Sequence, residues 1–219
     1  FSHATQSLRI VEVLEQNGEG LNLTFEVRQG IATHSKGKHG LPINIPALER
    51  AATLEAQIAR VADIIAYVNH DIDDAVRAGV LDPARLPASA AAVLGASSSA
   101  RIGAMVKDVV EQSLACGLES LRMSEPVLQA LLDLRAFMFE NVYENETATA
   151  EFAKATGILG GLWERVRQQP DRFLEPATVE REGLDAAVRD FLAGMTDRYA
   201  VRLYEELFIP RPWIEVPRA

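Results

Sequence analysis

The chain holds one cysteine, Cys116, in 219 residues, so no intrachain disulfide can form and the stapled mini-domain class is excluded. A reducing compartment, the cytoplasm, is the expectation that follows. No apolar run approaches the roughly 18–20 residues that a membrane-crossing helix needs, and no signal-peptide pattern is present. Neither a span nor export is expected. Positive charge is also short: 22 basic against 31 acidic residues leave a formal net charge of -9. A nonspecific nucleic-acid or anionic-membrane binder would need a basic face, so those partners are excluded. A small anionic ligand is not, because a local cluster or a metal ion can reverse the field in a pocket. Strand signals are scarce, and no internal repeat is evident.

What is present is helical periodicity in a chain of ordinary globular composition, 48% hydrophobic and 24% charged. The pattern predicts an all-α protein, a multi-helix array with no defensible internal boundary, so residues 1–219 are read as one helical unit. A first helix runs from about Thr5 to Gln16, and a second begins near Leu23 and fails by Ser35. The long helix spans about Leu48 to Ala78, with Leu54, Ile58, Val61, Ile65, Val68, Ile72 and Val76 as its apolar stripe. Residues 82–99, rich in Ala, Ser, Pro and Gly, read as a connector with little structure. Further helices follow at about Ala100 to Cys116, Glu125 to Tyr143, Ala148 to Gln169 and Leu184 to Leu207, and the tail is extended. Thr5 already lies inside a helical pattern. The segment is therefore expected to be the carboxyl-terminal part of a longer protein.

The chemistry-bearing residues concentrate on the long helix. Asp63, Tyr67 and Asp71 stand four apart, which keeps them on neighbouring positions of one helical face. Two acids flanking an aromatic, read as facing inward, would need a cation, a metal or hydrogen bonds. Asp63 and Asp71 are about 12 Å apart along the axis, so they cannot share one ion and must do separate jobs. Asp63 is the candidate metal ligand, with Arg60 and Gln57 before it. Tyr67 offers a ring and a hydroxyl, and Asp71 an acceptor for sugar hydroxyls. The bland alternative pairs Asp63 with Arg60 and leaves Asp71 as a solvated surface acid. Spacing alone leaves both open. His70 points about 100° away from Asp71 and is read as a surface or supporting residue.

Elsewhere, Arg135 could reach a phosphate or could pair with an acid. The loop around Lys36, Lys38 and His39 matches no phosphate-loop spacing. Asp197, Arg198 and Tyr199 are read as a packing and salt-bridge cluster. Cys116 and the phenylalanines at 137, 139 and 152 are read as core or interface.

Several stretches together resemble one family. These are Phe1 to Val11 with its His3-Ala-Thr-Gln6-Ser7 core, Leu23 to Ser35, Leu54 to Ala75, Leu134 to Tyr143 and Gly194 to Ala200. They are similar, in one order along nearly the whole chain, to the bacterial deoxyguanosinetriphosphate triphosphohydrolase-like proteins, within the HD-domain metal phosphohydrolases. The resemblance implies an all-α fold and hydrolysis of a deoxynucleoside triphosphate to nucleoside and inorganic triphosphate. It implies attack of water on the α-phosphate, polarised by a divalent metal that one histidine, a His-Asp doublet and a final aspartate hold. The final aspartate matches Asp63. The tyrosine and aspartate that contact the deoxyribose match Tyr67 and Asp71, and a histidine near the scissile phosphate matches His3. The metal is Mg, Mn, Fe, Ni or Co, since Asp with imidazole accommodates any of these. A homo-oligomer is implied as well.

The chain departs from the pattern at one point. The family's first histidine and its His-Asp doublet belong upstream of Phe1, so this chain supplies one ligand of four, and nothing qualifies His34 or His39 as a substitute. The rival reading is a noncatalytic helical module that oligomerises or binds nucleotide as a regulatory body.

Overall fold

The structure is a computed structural model that describes residues 2–34, 51–143 and 146–211, the side chains of 146–148 excepted. The Lys36–His39 loop, the expected helix start at Leu48 and the final residues of the tail lie outside the described residues. Among the described residues every regular element is helical, so the chain is all-α. None of these helices is long and apolar enough to cross a membrane. The chain divides into two compact units, Phe1–Glu144 and Asn145–Ala219.

In the first unit, α1 (His3–Arg9) starts at Ser2, whose side chain accepts from the Thr5 N–H. It widens into a π-helical stretch, Ile10–Leu14. The chain then leaves helical geometry at Gln16 and Asn17, both with positive φ. Gly20 turns it back at φ +71°, and a Cβ there would stand 2.1 Å from the Glu12 carbonyl oxygen, so only glycine fits. Helix α2 (Phe25–Thr33) packs between α1 and α3 (Leu54–Arg77). The long helix begins at Thr53, whose Oγ1 accepts from the Ala56 N–H at 3.2 Å, and residues 51–53 before it are not helical. Its start is therefore later than periodicity predicts: a capping threonine fixes where helix can begin.

Residues 82–99 are not the bare connector that their composition suggests. A 3₁₀ turn at Pro83–Arg85 precedes α4 (Ala88–Leu94), and Ser97 caps α5 (Ser98–Ala115). Alanine has the best intrinsic helix propensity, and α4 buries Ala90 and Leu94 against α5 and α6 (Glu125–Met138). A run of small residues is a helix where a neighbour needs close approach. Helix α6 continues through a π-helical turn, Phe139–Tyr143. The aliphatic centre of this unit is drawn from α3, α4, α5 and α6, with Val61, Ile65, Val68 and Ile72 from the long helix.

That core also holds charge. Arg101 on α5 is 3% exposed; its Nε donates to Asn69 Oδ1 at 2.8 Å and its Nη1 to the Ala96 carbonyl at 2.9 Å. Asn69 in turn donates to the Ile65 carbonyl at 2.7 Å. Asp73 lies 3.6 Å from Arg101 Nη2. Burial lowers the Arg101 pKa and the Asp73 charge opposes that shift.

In the second unit, α7 (Glu146–Gln168) is unbroken across Gly160 and Gly161. A short turn, Pro170–Phe173, and α8 (Pro176–Glu182) follow, and then α9 (Leu184–Ala193) and α10 (Asp197–Phe208) pack on α7. The predicted single helix over Leu184 to Leu207 is thus two. Gly194 ends the first, and Thr196 starts the second by accepting from the Tyr199 N–H at 3.3 Å. Leu162, Ala200 and Leu203 form a small buried centre.

Candidate functional site

Helix α3 sets the site by its rotation. Val61, Ile65, Val68 and Ile72 point into the core. Asp63 sits two residues from both Val61 and Ile65, roughly half a turn round, and is exposed. The inward-facing arrangement expected from the sequence is therefore corrected: Asp63 and Tyr67 stand on the outer face, Tyr67 at 62% exposed. Asp63 makes no hydrogen bond or ion pair to Arg60 or to any other described residue. Arg60 is itself buried, and Gln57 donates instead to the Ala51 carbonyl at 3.0 Å.

Each step of four residues advances about 40° round the helix. By Asp71 the stripe has drifted to the edge of the core, and this carboxylate is half-buried. There it accepts a hydrogen bond from the Tyr143 hydroxyl. Asp71 is accordingly not the solvated surface acid of the bland alternative. Tyr143 comes from the π-helical turn that prolongs α6. Its ring packs edge-on against Phe139 at 5.0 Å between centroids, and the Arg135 guanidinium lies 5.8 Å from the Phe139 ring centroid. Burial raises the Tyr143 pKa well above the ordinary phenol value. The hydrogen bond to Asp71, the Asp71 charge and neighbouring Tyr67 raise it further, and Arg135 works the other way. The phenol thus stays protonated through neutral pH and acts as donor to the carboxylate.

The structure thus brings together three residues singled out from the sequence, Tyr67, Asp71 and Arg135, and adds a fourth, Tyr143. A signal for the fourth exists. Arg135, Phe139 and Tyr143 repeat on α6 the four-residue spacing of Asp63, Tyr67 and Asp71 on α3. Asp63 lies one turn before Tyr67 without a described partner.

His3 is elsewhere. It is exposed at the start of α1, with its ring edge-on to His34 at 5.3 Å. No described interaction joins it to the Asp71 cluster. His34 Nδ1 lies 2.6 Å from the Ile31 carbonyl, which as an acceptor calls for a proton on that nitrogen. His70 is exposed. Among the described residues Asp197, Arg198 and Tyr199 do not form the expected packing and salt-bridge cluster: all three are exposed, and the Arg202 guanidinium stands 5.7 Å from the Tyr199 ring centroid. Phe152, expected in the core or at an interface, is 66% exposed and so is not a core residue. Cys116 is half-buried near the Ser113 and Ser120 carbonyls.

Among the described residues no three His, Cys, Asp or Glu side chains gather to hold a metal ion. A lone exposed carboxylate does not fit a divalent cation by itself.

Comparison with known proteins supplies what geometry leaves open. Residues 121–206 match the phosphohydrolase-associated domain family. The chain is 43% identical to a deoxyguanosinetriphosphate triphosphohydrolase-like protein of Caldanaerobacter subterraneus, over 98% of this chain and 60% of that protein. A protein of the same name from Desulfatibacillum aliphaticivorans is 40% identical, over 98% of this chain and 63% of its own length. One from Cereibacter sphaeroides is 32% identical, over 94% of this chain and 68% of its own length. The chain belongs to the deoxyguanosinetriphosphate triphosphohydrolase-like family. The chain spans about 60% of the length of the first two of these relatives. In this family member the Asp71–Tyr143 pair, flanked by Tyr67 and Arg135, is the built part of the candidate site.

Proposed function

We propose that this chain carries the sugar-binding wall of a hydrolase that converts deoxynucleoside triphosphates to nucleoside and inorganic triphosphate. The observation that supports this reading is the Asp71 carboxylate fixed by the Tyr143 hydroxyl. A carboxylate has about four acceptor positions, and the phenol uses one. Those that remain suit a sugar hydroxyl, which donates into them. The phenol holds the carboxylate in one orientation, so the sugar meets a pre-set acceptor. The exposed ring of Tyr67 flanks the sugar, and Arg135 supplies positive charge for the phosphates in a chain that is otherwise acidic. In the reaction, the oxygen of water bonds to the α-phosphorus, the bond from that phosphorus to the sugar 5′ oxygen breaks, and the 5′ oxygen leaves as the nucleoside's hydroxyl, taking up a proton as the water gives one up. His3 is the proposed imidazole that moves a proton at that oxygen.

Asp63 is the carboxylate proposed for a divalent cation, whether Mg, Mn, Fe, Ni or Co, and no step is assigned to an ion whose other donors are not among the described residues. That shortfall favours a second reading, a noncatalytic helical module that binds nucleotide or oligomerises.

The test is triphosphate release by a protein of the relatives' full length that contains this chain, supplied in turn with the four deoxynucleoside triphosphates. Asp71→Asn raises KM by about tenfold or more with a smaller change in kcat, the pattern of lost substrate binding. Asp63→Ala removes turnover and bound metal together. Full activity with metal retained in Asp63→Ala rejects Asp63 as the metal ligand, and triphosphate release absent from the unaltered protein rejects the hydrolase reading and supports the module.

A further inference from the structure

Tyr143 is the last residue of the π-helical turn that prolongs α6. The final carbonyls of a helix lack intrahelical partners, and helix ends fray unless something ties them down. Asn141, two residues before Tyr143, supplies a tie. Its Nδ2 donates to the Phe137 carbonyl at 2.9 Å, and its Oδ1 accepts from Arg85 Nη2 at 3.1 Å. The two ends of the amide thus have different partners, one in its own helix and one 56 positions away. Arg85 belongs to the 3₁₀ turn Pro83–Arg85, which is well anchored. Asp82 Oδ1 accepts from the Ala84 N–H at 2.9 Å, Pro83 fixes its own φ, and Leu81 and Leu86 on either side pack into the core.

The same clasp occurs a second time. Asn69 Nδ2 donates to the Ile65 carbonyl, also four residues back, and Asn69 Oδ1 accepts from Arg101. That clasp joins α3 to α5 and is buried. The clasp at Asn141 joins the turn after α6 to the turn before α4, with Asn141 half-buried and Arg85 exposed. A hydrogen bond at the surface contributes less than one in the core, so this clasp trims the aim of a side chain and does not decide the fold. The aim is sensitive. Each helical residue turns about 100°, so a turn whose closure slips by one residue swings Tyr143 by that angle and takes its hydroxyl from Asp71.

We propose that Arg85 and Asn141 are positioning residues for the Asp71–Tyr143 pair. Arg85, through the Asn141 amide, holds the π-helical turn in the register that aims the Tyr143 hydroxyl at Asp71. Neither residue acts on substrate directly. What they do for substrate rests on the sugar-wall reading above; the aim of the phenol stands on the hydrogen bonds alone.

Two measurements separate those claims. In the whole chain, tyrosinate absorbance is followed from about pH 9 to about pH 12, and subtraction of Tyr143→Phe isolates one phenol of the four tyrosines. The groups that bear on that phenol are Asp71 and Tyr67 from α3 and Arg135 from α6. In the unaltered chain the Tyr143 step lies above the ordinary phenol value of about 10. Arg85→Ala and Asn141→Ala each move it back toward that value, with helical circular dichroism unchanged. Arg85 is exposed, so its variant cuts the tie without disturbing the core. The double variant moves the step no further than Asn141→Ala alone, because both substitutions cut one connection. In a protein of the relatives' full length, the same variants raise KM for deoxynucleoside triphosphates by about threefold to tenfold and change kcat by less than about twofold, the pattern of a misaimed binding group. A Tyr143 step at the ordinary value in the unaltered chain, or one that neither variant moves, overturns the proposal. A double variant in which the two shifts add overturns it as well. A step that moves while KM stays constant upholds the positioning of the phenol and rejects the sugar wall.

Discussion

Among the described residues, the polar residues that are buried as a whole lie in the first unit, while the second surrounds a small aliphatic centre with aromatic rings and keeps the Asp190 carboxylate against Arg189 at 3.1 Å. Gln6, Arg60, Asn69, Arg101, Ser113 and Ser120 are the buried polar residues of the first. In the second, Phe173, Phe191, Tyr204 and Phe208 pack about Leu162 and Leu203, with Arg165 4.8 Å from the Phe208 ring centroid and Arg172 5.1 Å from that of Phe173. The difference teaches two ways of fixing helix register. Aliphatic rows tolerate sliding. A hydrogen bond such as Arg101 to Asn69 is satisfied at one register only, and breaking it leaves polar atoms without water. The second unit sets register by shape: a Cβ on Gly161 would come within 2.9 Å of the Tyr204 ring, which stacks on Phe208 at 4.6 Å.

The contrast breaks most severely at Arg101. Arg101→Leu strands the buried Asn69 amide oxygen and should cost about 3–5 kcal/mol in urea unfolding. Adding Asn69→Leu should recover part of that loss, because the buried Asn69 amide oxygen is then no longer left unmatched. If the single variant loses less than about 1 kcal/mol, the polar pair does not fix register.

In the second unit the largest effect should come from the aliphatic centre. Leu162→Ala, at a position 0% exposed, should cost about 3 kcal/mol and speed amide exchange in α7 and α10. Unchanged exchange there would mean that the aromatic ring alone carries the packing.

Tyr143→Phe should cost about 1.5–3 kcal/mol at neutral pH, the value of a hydrogen bond to a charged group. The sign of its pH dependence is fixed. The folded-state pKa of Tyr143 is raised above the unfolded value of about 10, so this stability is whole below that pH and is lost as pH rises beyond it. Chemical denaturation from pH 7 to 11 should show the gap between the two proteins closing on the alkaline side. A constant gap would count against the hydrogen bond as its source.

The smallest effect compares adjacent glycines. Gly160→Ala meets nothing within 4 Å and should stabilise by about 0.5–1 kcal/mol through helix propensity. Gly161→Ala gains the same propensity but must displace the stacked Tyr204 ring, so its thermal midpoint should fall. Equal midpoints would show that shape does not set this register.

Much of the helical layout was legible before any fold was known. Apolar spacing marks α3, α5, α6 and α7, and Ser and Thr caps mark where several begin. The Asp63, Tyr67 and Asp71 spacing put all three on one helix, which the structure shows as α3, with Asp71 half-buried. Other features were not legible. Residues 82–99 looked structureless because composition does not say whether alanines pack. Asp63 was read as inward because a polar residue in an apolar helix draws attention whichever side it takes. Tyr143 lies 72 positions from its carboxylate partner, and no local pattern ties the two together.

The order of residues alone decided where most of the helices run and which residues share a face, because periodicity and capping act over one or two turns, and it marked the family to which the chain belongs. Only the tertiary structure decided that Asp63 faces outward, that Asp71 meets a phenol from a distant helix, and that Arg101 closes on Asn69. Those outcomes depend on which faces of separate helices are pressed together, and contact between faces is a property of the packed chain.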